Sequence, residues 1–213
     1  MRDTNIALMI MKKLIPLILL SLLALSSCTN HLPKSLGDFS LGESMSSVEA
    51  KLASKRIIKV EKNYFQEYTY HIRERDNGAK TMDIYFPESS PYQCMGFGWT
   101  NISILFSPDN KAYYIQLSQA DFYDYDFANE VEMQGMSQDR LRNVQISVDR
   151  MLYSKYAKYL SESKTSQGST ISTYEDDEKS IEIDFELDEN DLGWSTYCHL
   201  MLCDVMLFLQ YSF

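Results

Sequence analysis

Four cysteines and three histidines offer most of the reactive chemistry in this sequence. Cys28 stands apart from the others, because an apolar run, Leu14–Leu25, and two serines lie directly ahead of it. Lys12 and Lys13 precede the run. A basic start, a short apolar stretch and small residues before a cysteine are typical of a secretory signal peptide, and the run is shorter than the about 20 residues that a membrane span needs. The pattern therefore predicts an exported chain.

The residues Leu25-Ser26-Ser27-Cys28 also resemble the lipobox of bacterial lipoproteins. The resemblance implies that residues 1–27 are a cleaved lipoprotein signal peptide. It also implies that Cys28 is the mature N-terminus and carries the lipid, palmitate included, that holds the chain on a membrane. No acidic residue lies between Cys28 and Asp38, and similarity to known sorting signals then implies the outer membrane, facing the periplasm. A plain transmembrane anchor or an uncleaved signal is the alternative.

Cys94, Cys198 and Cys203 remain in the mature chain, so one disulfide formed in an oxidising compartment would leave one free thiol. Cys198 and Cys203 are five residues apart and would point to opposite faces of one continuous strand. A bridge would therefore join Cys94 to one of the two. The alternative is three buried thiols that act as small apolar side chains.

The sequence contains no arrangement typical of an enzyme. It has no Gly-x-Ser-x-Gly motif and no glycine-rich phosphate loop. His31, His71 and His199 have no partner at the spacing of metal ligands. Nothing in the spacing supports a pair of His71 with Cys198 or Cys203. We therefore predict no catalytic residue, no metal and no cofactor.

The segment Glu175–Asp191 holds ten acidic residues and one basic residue, and its loop at 188–191 is rich in oxygen atoms. The alternating acids and central glycine of a calcium loop are absent. Glu182, Asp184 and Glu186 alternate with apolar residues, as on the solvent side of a strand. We interpret these acids as a solvated strand face.

The whole chain carries a formal charge of −10. Loss of residues 1–27 would remove three basic residues and one acidic residue, and the mature chain is the same whether translation begins at Met1 or Met11. Strong acidity argues against nucleic acid, whose binding depends on Lys and Arg, and against electrostatic attachment to anionic lipid. The negative charge is compatible with a partner that has a basic surface. It is equally compatible with a role in solubility alone.

The first half of the mature chain is predicted to form one helix and then strands. A capping box, Ser46-Ser47-Val48-Glu49, begins a helix predicted over 46–55. Alternating apolar residues then predict strands, of which the clearest are about 64–73, Lys80–Phe86, about 98–106 and Lys111–Ser118. Asn77-Gly78 is typical of a two-residue hairpin turn, and residues 108–110 predict another turn.

The second half repeats this order with a longer helix, predicted over 138–162 from an apolar stripe at spacings of three and four. Residues 163–169 are expected to end it, and strands are predicted at 170–175, 179–187 and 194–212. The segment Lys80–Phe86 aligns with Lys179–Phe185, and Gly98-Trp99 aligns with Gly193-Trp194. We therefore predict an α+β fold of two tandem pseudo-repeats, each a helix packed on a four-stranded antiparallel sheet.

The pattern Phe39-x-Leu41-Gly42-x-Ser44, followed by Val48 and Leu52, resembles the helix entry of β-lactamase-inhibitor-like proteins and of small outer-membrane-assembly lipoproteins. The resemblance implies a module that binds another protein. The predicted domain organisation is a signal peptide at 1–27, a tether at 28–38, a first repeat at 39–118 and a second repeat at 119–213.

The junction at 121–132 contains five acids, four aromatic residues and no base. Tyr123, Asp124, Tyr125 and Asp126 alternate there, which would place aromatic anchors beside negative charge. We predict a non-catalytic, lipid-anchored envelope protein that binds a basic partner through these residues. A solvated linker is the structural alternative. The functional alternatives are an immunity-type lipoprotein that neutralises a basic toxin and a hydrolase with dispersed carboxylates.

Overall fold

The computed structural model describes residues 31–61, 67–124, 130–166, 168–190 and 193–211. The helices are α1 (Met45–Ser54), α2 (Glu130–Tyr156) and α3 (Val205–Tyr211), with a 3-10 turn at Ala157–Tyr159. The strands are β1 (Ser35–Leu36), β2 (Phe39–Ser40), β3 (Ile58–Lys59), β4 (Thr69–Glu74), β5 (Lys80–Tyr85), β6 (Tyr92–Cys94), β7 (Phe97–Trp99), β8 (Asn101–Phe106), β9 (Ala112–Asp124), β10 (Leu160–Ser166), β11 (Ser169–Glu175), β12 (Lys179–Asn190) and β13 (Gly193–Asp204). The chain is α+β, as predicted.

Nine of these strands form one sheet in the order β10-β11-β12-β13-β9-β8-β5-β4-β3. All neighbours are antiparallel except β3, which pairs parallel to β4. The last of the described strands, β13, lies inside the sheet and pairs with β9 from Cys203 opposite Tyr114 to Gly193 opposite Asp124. Two short ribbons, β1–β2 and β6–β7, complete the described strands.

This sheet does not support the prediction of two tandem repeats with separate four-stranded sheets. The pairing of β9 with β13 joins the two halves into one sheet, and β9 continues through the predicted boundary after Ser118. Trp99 pairs with Tyr92 in the β6–β7 ribbon, whereas Trp194 pairs with Tyr123 inside the large sheet. The two Gly-Trp segments therefore lie in different surroundings. Similar alternation produces similar strand sequences without duplication.

The hydrophobic core lies between the apolar face of the sheet and the helices α1 and α2. Val48 and Leu52 of α1 and Leu141 of α2 belong to the same buried cluster as Ile104 and Leu202 of the sheet. Helix α2 packs mainly on β13, β12 and β9, so its apolar stripe covers the middle of the sheet. Removing any one of these side chains would cost about 2–5 kcal/mol of folding free energy.

Two turns in the first half use the same geometry. Gly78 N–H donates to Arg75 O at 2.9 Å, and Gly78 has φ +78°. Asn110 N–H donates to Ser107 O at 2.8 Å, and Asn110 has φ +59°. Each loop is a four-residue turn whose last residue is left-handed, which Gly and Asn tolerate best. Because Arg75 and Ala79 still pair, the loop between the strands has three residues, 76–78. The predicted loop, Asn77-Gly78, has one residue fewer.

Helix α1 begins earlier than the capping box indicates. Ser44 is the N-cap and accepts the N–H of Ser47 at 3.3 Å. Glu49 does not cap the helix; its carboxylate accepts the Tyr70 hydroxyl at 3.2 Å instead. The predicted cap at Ser46 is displaced because Ser44 has the extended backbone that an N-cap requires.

The end of the second half differs from the prediction in two places. Helix α2 stops at Tyr156, and Leu160–Ser166 forms strand β10 at one sheet edge, where a polar strand needs only one neighbour. The predicted strand over 194–212 ends at Asp204. The Asp204 carboxylate accepts the N–H of Leu207 at 3.0 Å, which begins α3.

The predicted tether at 28–38 is part of the fold from Leu32 onward. Leu32 and Leu36 are each 2 % exposed and belong to the core. Gly37 has φ +59° and leaves no space for a Cβ against the Tyr92 hydroxyl, which accepts the N–H of Asp38 at 2.6 Å. The polar residues around Leu32 and Leu36 led to the prediction that this segment lies outside the fold.

Candidate partner-binding surface

The strand register separates a polar face of the sheet from the apolar one. Directly paired residues share a face, so one row across the sheet consists of His71, Asp83, Ser103, Gln116, Met201 and Glu182. The adjacent row on the other face consists of Ile72, Met82, Ile104, Ile115, Leu202 and Ile181. The second row belongs to the core, and the first row is what we call the polar face.

Asp83 is the centre of a cluster on the first half of the polar face. It accepts the Arg73 guanidinium at 2.7 Å and the Ser103 hydroxyl at 2.6 Å. His71 is 3 % exposed, and its Nε2 lies 3.2 Å from Asp83 Oδ2. Neither ring nitrogen of His71 forms a hydrogen bond within the described part of the chain, and its ring stacks on Tyr85.

This cluster differs from a catalytic Ser-His-Asp triad in the order of its members. A triad places the imidazole between the serine and the carboxylate, so that it can remove the serine proton. Here Ser103 donates directly to Asp83, on which Arg73 also converges. The Asp83 carboxylate is thus the shared acceptor, and among the described residues Ser103 has no imidazole beside it that could act as a base. The arrangement holds β4, β5 and β8 together and does not activate a nucleophile.

A cavity of about 330 Å³ lies outside the sheet, beside Lys55, Tyr68 and Tyr92. A second cavity, of about 320 Å³, lies over the Asp83 cluster and is lined by Arg73, Arg75 and Tyr114 among others. Phe208 of α3 stacks on Tyr114 with ring centroids 5.3 Å apart, which covers one side of this second cavity. The two arginines make it the basic part of an otherwise acidic face.

The second half of the polar face is acidic. Asp184 accepts the backbone N–H of His199 at 3.1 Å, and His199 Nδ1 lies 3.3 Å from the same carboxylate. Burial raises the pKa of the Glu182 carboxyl, and the carboxylates of Asp184 and Glu162 raise it further, against a hydrogen bond from Thr173. Glu186 is exposed, but Glu182 and Asp184 are half-buried, so the prediction of a solvated strand face is wrong for these two acids.

The far ends of β9, β12 and β13 bring two acidic segments together. Backbone pairing places Asp124 opposite Gly193 and Gly193 opposite Asn190, while Trp194 lies between Tyr123 and Glu189. Residues 121–124, 186–190 and 193–196, which we call the acidic end, contain five acidic and three aromatic residues and no Lys or Arg. The register thus concentrates negative charge at one end of the sheet.

The predicted partner-binding residues fall partly on this acidic end. Tyr123 and Asp124 are the last two residues of β9, and Tyr125 and Asp126 lie outside the described residues. Asp188 and Glu189 belong to the same end of the sheet, with β13 between them and β9, whereas the sequence predicted an oxygen-rich loop at 188–191. Only the pairing of β9 with β13 could have revealed the juxtaposition.

The cysteines after position 28 are free thiols, and Cys28 lies outside the described residues. Burial raises the pKa of Cys94 and of Cys203 to about 11 in each case, with nearby acids adding to the shift. Burial also raises the pKa of Cys198, strongly. The disulfide between Cys94 and Cys198 or Cys203 is not formed. The alternative of buried thiols describes Cys94 and Cys198, while Cys203 is half-buried.

Within the described ranges, no group of three or more His, Cys, Asp or Glu side chains is arranged to hold a metal ion. Of the described helices, none is both long and apolar enough to cross a membrane. No protein-family model, curated protein or solved structure matches this chain.

Proposed function

We propose that the chain is a non-catalytic lipoprotein, anchored by a lipid on Cys28 at the outer membrane and facing the periplasm, that binds a protein with a basic surface. The observation that supports binding is the acidic end, where register joins residues 121–124 to 186–190 without any basic residue. The lipid anchor rests on the sequence Leu25-Ser26-Ser27-Cys28.

The acidic end suits a basic partner for an electrostatic reason. The acids of this end stand on β9 and β12, on either side of β13, and a Lys- or Arg-rich surface would balance their negative charge while steering the encounter. Tyr123 and Tyr125 would supply aromatic anchors next to Asp124 and Asp126. Affinity should therefore fall as salt rises.

The resemblance of the helix entry at 39–52 to β-lactamase-inhibitor-like proteins and small outer-membrane-assembly lipoproteins supports the same class of function. An immunity-type lipoprotein is a special case of it, in which the basic partner is a toxin. The acidic end would attract a basic toxin for the same electrostatic reason.

The hydrolase alternative has one observation in its favour. Glu182, with its raised pKa, stands beside Asp184 on β12, and general acids use such shifts. The described cavity over the polar face is lined by Asp83, and neither Glu182 nor Asp184 lines it. A site with two carboxylates around a substrate pocket is therefore less well supported than a binding surface.

The test is chemical crosslinking in envelope membranes that contain the lipidated protein. The double variant Asp188→Asn, Glu189→Gln removes two charges from the acidic end. The matched control, Asp76→Asn with Glu88→Gln, removes two charges from exposed sites elsewhere. We expect the crosslinked partner to be lost in the first variant and retained in the control, at equal thermal stability. Equal crosslinking in both would overturn the proposed surface.

A further inference from the structure

Helix α3 has one apolar side that nothing in the described chain covers. Phe208 and Tyr211 face the sheet and contact Tyr114 and Tyr113. Met206 and Leu209, three residues apart and so on one side of the helix, are 71 % and 58 % exposed. Met206 is the most exposed large apolar side chain among the described residues.

This side of α3 lies next to the point where the N-terminal segment enters the fold. Leu32 N–H donates to Asp176 at 3.1 Å, and Val205 N–H at the start of α3 donates to Glu178 O at 3.0 Å. Lys34 and Met206 line the same cavity of about 540 Å³. The turn from Asp176 to Lys179 thus connects the entry of the chain to α3.

The length of chain ahead of Leu32 limits how far this region can be from the anchor. Leu32 lies four positions after Cys28, and this stretch spans at most about 14 Å when extended. If Cys28 carries the lipid, the membrane surface must lie within that distance of Leu32. This step rests on the proposed function.

We infer that Met206 and Leu209 contact the lipid bilayer that holds the anchor. Exposed apolar side chains on a short helix suit the boundary between headgroups and acyl chains. The exposed Asp177 and Glu178 at the neighbouring turn disfavour anionic headgroups, so the surface fits zwitterionic lipid. The contact fixes the orientation of the protein, while the lipid on Cys28 provides the attachment.

The same orientation points the acidic end away from the membrane. Strand β12 runs from Lys179, beside α3, to Asn190 at the acidic end. Its 12 residues extend about 36 Å at 3.3 Å per residue. A protein partner in the periplasm would therefore meet the acidic end without approaching the bilayer.

The test uses the lipidated full-length mature protein in phosphatidylcholine vesicles that contain spin-labelled lipid. Leu209→Cys and, as the matched control, Glu186→Cys each introduce one exposed thiol. A fluorophore labels this thiol selectively because Cys94 and Cys198 are buried and the pKa of the half-buried Cys203 is raised to about 11. We expect quenching by the spin-labelled lipid to be severalfold stronger at position 209 than at position 186.

Flotation of the vesicles separates the two ways in which this can fail. Protein that floats with the vesicles but shows equal quenching at both positions would overturn the membrane-facing role of α3 and leave the anchor intact. Protein that does not float would overturn the anchor and, with it, this inference. Circular dichroism of each labelled variant checks that it is folded.

Discussion

The backbone N–H of Leu32 donates to the carboxylate of Asp176 at 3.1 Å across 144 residues of sequence. The same carboxylate accepts the N–H groups of Glu178 and Lys179 at 3.0 and 2.8 Å and lies 3.3 Å from the Lys179 ammonium. Asp176 thereby secures the first described segment of the chain to the hairpin between β11 and β12. A single carboxylate satisfies three backbone donors.

Replacing this carboxylate should loosen the N-terminal segment. Asp176→Asn keeps the size of the side chain but leaves Lys179, 4 % exposed, without its buried counter-charge. We expect a loss of about 2–4 kcal/mol in the free energy of unfolding, measured by urea denaturation at pH 7. Asp177→Asn, at an exposed neighbour, should change stability by less than about 0.5 kcal/mol. Equal effects of the two changes would contradict the role of Asp176.

The contribution of Asp176 should also depend on pH. Burial opposes ionisation, but the N–H groups of Glu178, Lys179 and Leu32 and the Lys179 side chain hold the pKa of Asp176 below its ordinary value of 3.8. A depressed pKa gives stability that is present above pH 3.8 and is lost as pH falls through the folded-state value. The stability difference between wild type and Asp176→Asn should therefore shrink below pH 3.8. A difference that stays constant from pH 7 to pH 2 would exclude this linkage.

Glu182 is expected to behave in the opposite way. Its pKa is raised by burial and by nearby carboxylates, so its ionised form weakens the folded state near neutral pH. Stability from this group is complete below its ordinary pKa and is lost as pH rises through the folded-state value. Glu182→Gln should raise stability at pH 7 by about 0.5–1 kcal/mol, and the exposed Glu186→Gln should have a smaller effect. A destabilised Glu182→Gln protein would show that the hydrogen bond from Thr173 dominates.

Trp99 should be a main packing residue of the first half. It is completely buried, and its indole N–H donates to Cys94 O at 3.1 Å. Trp99→Ala should lower the free energy of unfolding by about 3–5 kcal/mol, and Trp99→Phe by less, because most of the ring area remains. Thermal or urea denaturation measures both. A tolerated Trp99→Ala would place Trp99 outside the core.

The thiols should be unreactive in the folded protein. Burial raises the pKa of Cys94 and Cys203 to about 11, so very little thiolate is present at pH 7. A maleimide should label the native protein slowly and label three cysteines after denaturation without reductant. Fewer than three labelled residues under those conditions would reveal a disulfide.

The hairpin of β4 and β5 shows what the sequence can predict and where it stops. Alternation correctly places Tyr70, Met82 and Ile84 on the apolar side. The two-residue turn predicted from Asn77-Gly78 would have paired His71 with Ile84. The extra residue in the observed turn pairs His71 with Asp83, because a shift of one residue moves side chains to the opposite face. The extra turn residue therefore determines that Asp83, rather than Ile84, lies directly opposite His71.

Long-range pairing is the second feature that could not be predicted. Periodicity identifies β9 and β13 as strands, but any two strands with an apolar and a polar face are compatible partners. Nothing local indicates that Leu117 pairs with Leu200. The acidic end follows from this pairing, so the sequence alone indicates Tyr123 and Asp124 as one feature and Asp188 and Glu189 as another.

The position of β13 in the sheet determines when the protein can complete its fold. β9 is the middle strand of nine and has β8 on one side only until Gly193–Asp204 has been synthesised. A nascent chain or a proteolytic fragment that ends before residue 193 would expose the long open edge of β9, which other extended chains can join. Completion of the sheet must therefore wait for residues 193–204, and such distant pairing makes folding slow. A chain of this topology must be protected from aggregation until β13 has been synthesised.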